Sequence, residues 1–587
     1  MKYLLLVLLA AISFTARAAE IPVQRNFVTT NAFMNAPSDG WIAIWNNTAK
    51  KWSNGLNTAS GRIVYVATND NVSLVLSNAQ NNTAYILPAF TFAITPSVLS
   101  SNLTGGTQYR GITFANKTNV LIYGQKGSTI IDGSSEYGEL LVITNCSGIT
   151  VDGIAWYGKT NHNWVVVIPT NHLWAGIRIA NSEKITFQNN DISRHFNHGI
   201  CDLAANFSLV TASTNQILIQ NNLFEDAGSW RTNISLAYDG AAIIPTGWTV
   251  RGNKIKNVLR AIEPYLANDG QPSVIWNCII ENNDIENAYD FGITTAGNTN
   301  FRGARVTGNT IRTHPGFAFH GSNALYSVGA GIQWNGGHDW VIENNIVSGA
   351  FPNGIQTGGN TEGGSVSRNT IFGLTNAVGT YGGLQLNNSY RLSVIGNKLR
   401  GPSGISQLYI YGLRDSDVSR NQIINPSFFG SGIRVATYGS LIASNVTIRD
   451  NFIFDSVNGR LIYGIEDQQL PGNFKIRLSG NEIQNAGTKY YFPSNLTEWA
   501  VSDILTASAT LNFASQSTGT REDLPIAVTG AAEGDAVQVS VPVASIGPII
   551  GSYSGFASNG VVYVRFVSAA ATQDPASGTF RVIVTKF

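Results

Sequence analysis

From residue 185 onward the chain repeats one local pattern: apolar positions alternate with polar ones, an asparagine follows, and a further apolar residue stands two places on. Ile185-Thr186-Phe187-Gln188-Asn189-Asn190-Asp191-Ile192 is one copy; Trp248 to Ile255 around Asn253 and Val446 to Ile453 around Asn451 are others. The asparagine recurs at Asn190, Asn222, Asn253, Asn283, Asn309, Asn345, Asn369, Asn397, Asn421, Asn451 and Asn481, a mean step of about 29 residues, in the range of stacked structural repeats. Period-two alternation predicts short strands whose apolar residues share one face, and helical spacing does not fit. A second strand follows most copies, opening with glycine and an apolar residue: Gly199-Ile200, Gly292-Ile293, Gly316-Phe317, Gly331-Ile332, Gly354-Ile355, Gly383-Leu384 and Gly432-Ile433.

Two or three short strands per repeat, without helical intervals, describe a coil that cannot bury its apolar face alone. Stacked coils bury it in a continuous parallel-sheet core. An asparagine at a fixed turn satisfies its amide through the equivalent turn one coil away, so the eleven asparagines read as an internal ladder. A propeller blade needs about 40 to 50 residues, longer than this period. The predicted class is all-β, a right-handed single-stranded parallel β-helix.

The repeats and their lead-in resemble the right-handed parallel β-helix proteins of the pectate-lyase-like superfamily. The lead-in comprises a short helix over Val72 to Gln80, then Thr83-Ala84-Tyr85-Ile86-Leu87-Pro88 and Ser128-Thr129-Ile130-Ile131-Asp132-Gly133. It would cap the open N-terminal end of the stack. The resemblance covers roughly residues 65 to 495. It implies a secreted carbohydrate-active protein, since known members are mostly polysaccharide lyases, epimerases and hydrolases, with phage tailspikes and adhesins among the rest.

The ends read differently. Residues 1–18 carry Lys2, an apolar run from Leu4 to Ile12 and Ala16-Arg17-Ala18, a secretory signal peptide. The expected location is therefore extracellular or periplasmic, and no stretch is apolar over the length a membrane span needs. Residues 19–64 hold Trp41, Trp45 and Trp52 without a repeat; 65–497 form the helix; 498–587 form a small sandwich-like β domain, with strands over Ala536 to Val543, Val561 to Val567 and Thr579 to Val584. Lys+Arg 37 against Asp+Glu 36, in a chain only 12% charged, leaves no basic footprint for nucleic acid. Cys146, Cys201 and Cys278 are too few and too scattered for a disulfide framework or a zinc cluster.

In a stack, catalytic groups must come from equivalent positions on neighbouring coils, about 4.8 Å apart. Counting from the repeat asparagines brings His195 and His198, then Arg260 and Glu263, then Tyr289 and Asp290, then His314 towards one edge, with Asp239 on a longer loop. Gln333, Gln356, Gln385, Tyr409 and Arg434 project from later strands on the same face, as amides, a phenol and a guanidinium suited to hydroxyl and carboxylate recognition. Two chemistries fit the cluster, and both stay open. A lyase or epimerase acting on uronic acids would use His195, His198, Arg260, Tyr289 and His314 for proton abstraction and enolate stabilisation. An inverting hydrolase would take its carboxylate pair from Asp239, Glu263 and Asp290.

The sequence lacks the Asn-Thr-Asp and Gly-His-Gly segments of polygalacturonases and the Asp-Pro-His-Asp of mannuronan epimerases. Calcium assists many lyases of the superfamily; here it would need carboxylates from different coils, because no dense Asp run is present. His338, Asp339 and Asp467 read as structural. The leading expectation is a polysaccharide lyase or epimerase acting on an acidic polysaccharide. The alternatives are a hydrolase with paired carboxylates and a non-catalytic glycan-binding or tail-fibre-like surface protein, monomeric or trimeric.

Overall fold

The computed structural model describes the chain except residues 1–42, 47–50, 55–60, 95–96, 101–107, 135–137, 159–174, 196–197, 203–214, 228–231, 239–246, 267–273, 296–299, 315–328, 360, 375–381, 402–405, 426–429, 438–441, 457–460, 469–475, 492–498, 502–503, 548 and 586–587. Two long sheets wind together as successive coils of parallel strands, one of them 27-stranded. A typical coil contributes Glu183–Gln188 to one sheet, turns at Asn190, and contributes Asp191–His195 and then His198–Asp202 to the other.

Interior positions stack in register. Ile262, Ile293, Ile332, Ile355, Leu384, Leu408, Ile433 and Ile465 pair coil to coil, and each is fully buried. Burial of such a side chain contributes roughly 1.5–3 kcal/mol, so the repeating apolar position holds the stack together along its length.

The asparagine ladder forms as the spacing predicts. Each ladder asparagine from Asn190 to Asn451 donates its backbone N–H to the Oδ1 of the next at 2.9–3.1 Å. The amides add a second link: Asn369 Nδ2 donates to Asn397 Oδ1 at 2.9 Å and to the Ile342 carbonyl at 3.0 Å. The residue before every ladder asparagine is left-handed: Asn189, Asn221, Gly252, Asn282, Gly308, Asn344, Arg368, Gly396, Arg420, Asp450 and Gly480 all have φ between +54° and +67°. That conformation favours Gly and Asn, which explains the Asn-Asn and Gly-Asn doublets in the sequence. At Gly252 a Cβ would stand 2.6 Å from Asn221 Oδ1, so the stacking itself leaves little room there.

The lead-in helix is Val72–Ser77, shorter than the sequence suggests. Asn71 Oδ1 caps it by accepting from Leu74 N at 3.1 Å, and Val72 and Leu76 join the main core. Ser77 Oγ accepts from Thr113 N at 3.1 Å, tying the helix to the early strand Gln108–Ala115. Thr83–Ile86 and Ile130–Asp132 then enter the two sheets.

Residues 504–585 form two three-stranded antiparallel sheets around a separate core that includes Phe513, Phe566 and Phe580. Strands run over Ala536–Ser540, Val561–Ser568 and Gly578–Thr585, while Val543–Ile546 is one helical turn rather than strand. Among the described residues no helix is long and apolar enough to cross a membrane.

Candidate functional site

In two adjacent coils the strands on either side of the corner fuse into single long strands, Lys254–Leu266 and Asp284–Thr294. Their register slips: Val258 pairs with Ala288, but Arg260 pairs with Phe291. The second strand therefore carries one extra residue, a β-bulge that twists the chain and re-aims its side chains. Tyr289 and Asp290 lie within it.

The bulge brings Asp290 to Arg260. Arg260 Nε donates to Asp290 Oδ2 at 2.8 Å, and Arg260 Nη1 donates to Glu263 Oε1 at 2.7 Å. Both carboxylates are nearly buried, with side chains 5% and 6% exposed against 26% for the arginine. The guanidinium also lies over the Phe291 ring, 5.3 Å from its centre. Burial pushes the Asp290 carboxyl above its usual range; Arg260 pulls it down, Glu263 pushes it up, and the net direction is upward. Burial alone would lower Arg260, but Glu263 and Asp290 outweigh it and hold the guanidinium more firmly protonated.

The separation of the two acids follows from this geometry. Two C–N bonds of about 1.33 Å place Nε and Nη1 about 2.3 Å apart. With contacts of 2.8 and 2.7 Å, the bound oxygens of Asp290 and Glu263 stand at most about 7.8 Å from each other.

Glu263 belongs to an outward-facing column in which each residue sits one coil above the last. Arg178, Cys201, Ser235 and Glu263 are register partners in turn. One residue past the Ile262–Ile293 pair the column continues with Thr294, then Gln333, Gln356, Gln385, Tyr409, Arg434 and Glu466. The five residues chosen from sequence for substrate contact therefore align in one row with Glu263. From Glu263 to Arg434 is six coil steps, about 29 Å.

Along the row, Thr294 Oγ1 donates to Gln333 Oε1 at 2.9 Å. Gln385 Nε2 donates to Asn387 Oδ1 at 3.1 Å. Gln356 is half-buried between Gln333 and Gln385. The Tyr409 and Tyr411 rings stand 4.1 Å apart, and Arg434 lies over Tyr409 at 5.8 Å. Arg434 Nε pairs with Glu466 Oε2 at 3.4 Å, while Ser431 Oγ and Gln468 Nε2 also donate to Glu466.

The remaining chosen residues divide. His314 is exposed at the end of the first strand of its coil. Its Nε2 meets Glu286 Oε1 at 3.4 Å and its backbone N–H donates to Asn287 Oδ1 at 3.1 Å. It joins a separate charged row, Lys256, Glu286 and Arg312. Burial would raise Glu286, but His314, Arg312 and Lys256 outweigh it and hold the carboxyl below its usual range. Tyr289 is half-buried beside Asp290 in the bulge. The backbones of His195 and His198 pair with Ala227 and Ala175, and their side chains lie outside the described set. Asp239 and Gly316-Phe317 lie outside the described residues. His338 Nδ1 meets Glu362 Oε2 at 3.2 Å, away from the row, and Asp467 is fully buried one position inward from Glu466.

Sequence reasoning missed one ionic group on the same face. Glu139 is buried between Arg110 at 3.1 Å and Arg178 at 2.8 Å, and burial outweighs both guanidiniums to push its carboxyl upward. Extending the register back from Glu263 would have reached Arg178. Glu466 lies one coil beyond Arg434 and was reachable the same way. Among the described residues no three His, Cys, Asp or Glu side chains gather to hold a metal.

A family model described as "Right handed beta helix region" matches residues 312–483. This is a right-handed β-helix protein. Among solved structures, the β-helix chain is similar to the tailspike protein of E. coli bacteriophage HK620 in complex with a pentasaccharide, at 14% identity and TM-score 0.47, over 94% of this chain and 98% of that one. A single-substitution mutant of that tailspike, also with pentasaccharide, matches at 13% identity and TM-score 0.42, over 86% and 82% of the two chains. No curated protein matches the sequence.

Proposed function

We propose that this is an exported glycan-binding β-helix protein, and that Asp290 and Glu263 hydrolyse the polysaccharide held along the outward row. The observation that carries the reading is the bulge that delivers Asp290 to Arg260 and Glu263 at one end of a row of amide and phenol groups. Asp290, whose carboxyl burial raises, is the acid: its proton goes to the glycosidic oxygen as the bond to the leaving sugar breaks. Glu263 takes a proton from the water that forms the new C–O bond. A spacing below about 8 Å is compatible with the 6.5–9.5 Å of inverting enzymes. The leader over residues 1–18 supports export.

The lyase reading loses support from the same contacts. Its cation would have to face the sugar carboxylate, yet both Arg260 donors seen here are taken by acids of the protein. A binding-only reading is favoured by one observation, the burial of both carboxylates against that arginine, which suits an internal ion pair as well as a reacting one.

Incubation of the full chain with polysaccharides, following reducing ends and ultraviolet absorbance, separates the three. Hydrolysis gives reducing ends without an unsaturated product, and Asp290→Asn and Glu263→Gln each slow it by about 10²–10⁴-fold while binding persists. Unsaturated product would establish a lyase. Retained binding without new reducing ends on the bound polysaccharide would leave the face a receptor-type surface only.

A further inference from the structure

We propose that the ligand of this row is an uncharged polysaccharide, with Gln385 reading its hydroxyls. The proposal rests on the glycan reading above and narrows its substrate class, against the acidic polymer expected from sequence.

Charge accounting along the face comes first. Each arginine on it faces an acid of the protein: Arg110 and Arg178 share Glu139, Arg260 holds Glu263 and Asp290, and Arg434 meets Glu466. Between Glu263 and Arg434 the row is Thr294, Gln333, Gln356, Gln385 and Tyr409, without a charge. The connecting segments 315–328, 375–381, 402–405, 426–429 and 438–441 contain no Lys, Arg, Asp or Glu, and they carry Phe317, Phe319, Tyr326, Tyr381, Phe428, Phe429 and Tyr438. A run this free of charge departs from the composition of a protein surface. A uronate laid here would give up hydration with no cation to replace it, whereas sugar hydroxyls exchange hydrogen bonds with amides at little penalty.

Gln385 supplies the second, independent observation. Its side chain is 95% buried on the outward side of the row, Nε2 is committed to Asn387, and Oε1 has no hydrogen-bond donor. Buried acceptors are nearly always paired, so this oxygen marks where a ligand hydroxyl donates. Half-buried Tyr411, stacked on Tyr409 one register row away, offers an apolar surface to the C–H face of a sugar ring.

The test is affinity electrophoresis of the full chain through gels carrying dextran, galactomannan or a β-glucan, and through gels carrying polygalacturonate or alginate, at low and high salt. Retardation by a neutral polymer, unchanged by salt, is the expected result. Gln385→Leu should weaken it about tenfold with thermal unfolding unchanged. Half-buried Gln356→Leu provides a second variant that does not disturb a packed side chain. Gln356→Lys should create retardation by polygalacturonate that salt abolishes. Preferential retardation of the wild type by polygalacturonate or alginate overturns this inference and leaves the glycan reading standing. Free migration through every gel overturns both.

Discussion

Arg260→Met isolates the ionic centre of the candidate site. The substitution keeps an unbranched side chain of similar reach over Phe291 and removes two charge-assisted hydrogen bonds of 2.8 and 2.7 Å. Each is worth about 1.5–3 kcal/mol, and stranding buried carboxylates by removing their partner costs about 3–5 kcal/mol, so both routes converge near 4 kcal/mol. That is roughly a thousandfold rise in local opening. Amide hydrogen exchange over Lys254–Leu266 and Asp284–Thr294 reads it directly, without requiring the long stack to unfold in one step. The pH dependence fixes the cause. Burial holds the Asp290 carboxyl above its ordinary value with Arg260 opposing, and removing Arg260 raises it further. A carboxyl raised in the folded state stabilises folding below its unfolded pKa, and that contribution is lost as pH rises through the folded one. The deficit of Arg260→Met should therefore be greatest near neutrality and shrink as pH falls towards about 4, the ordinary aspartate range. Adding Glu263→Gln and Asp290→Asn to Arg260→Met should restore most of the protection at neutral pH. A deficit below about 1 kcal/mol, or one that grows on acidification, would refute a desolvated centre and make the three residues a solvated surface network.

Two further predictions concern the ladder. Asn369→Ala removes the acceptor for Asn345 N and the donor to the Ile342 carbonyl, so it should destabilise by about 2–6 kcal/mol, one to three for each buried group left unpaired; a melting curve that matches wild type would show that the ladder is dispensable. Arg420 holds φ +55° and is exposed, and Arg420→Asn should raise stability by up to about 1 kcal/mol, because Asn tolerates that conformation and Arg does not; a fall in the unfolding midpoint would contradict this.

The fold was legible because its main constraint is written in one residue type. A ladder asparagine must supply an acceptor to the coil below and donors to the coil beyond, and no other side chain of that size does both, so the period surfaces as a column of Asn. The preceding left-handed position left a weaker trace: Gly and Asn at nine of the places, masked at the other two by Asp450 together with Arg368 and Arg420 being tolerated there only at a conformational penalty or, for Asp, with milder strain. Put by residue, Asn189 and Gly252 advertise the turn while Arg368 and Arg420 conceal it. The outward row was legible for the same reason as the core, since parallel register carries Gln333 onto Gln356 and Gln385 once the interior isoleucines are aligned.

The site was only partly legible, because counting from the asparagine assumes that every coil takes the same path to its second strand. Arg260 and Asp290, each seven residues after a ladder asparagine, lie on long strands that run straight through the corner. In the next coil the first strand ends at Thr313 and the described second strand begins at Ala330, so His314 stays on the charged row with Glu286 instead of reaching Arg260. The slip that turns Asp290 towards Arg260 is likewise a difference between two neighbouring coils, and a repeat pattern averages such differences away. Chemistry in this solenoid therefore concentrates where the repeat is broken: the identical parts of the coils build a surface that can hold a polymer, and the one coil pair that differs in register is where two acids meet a single arginine.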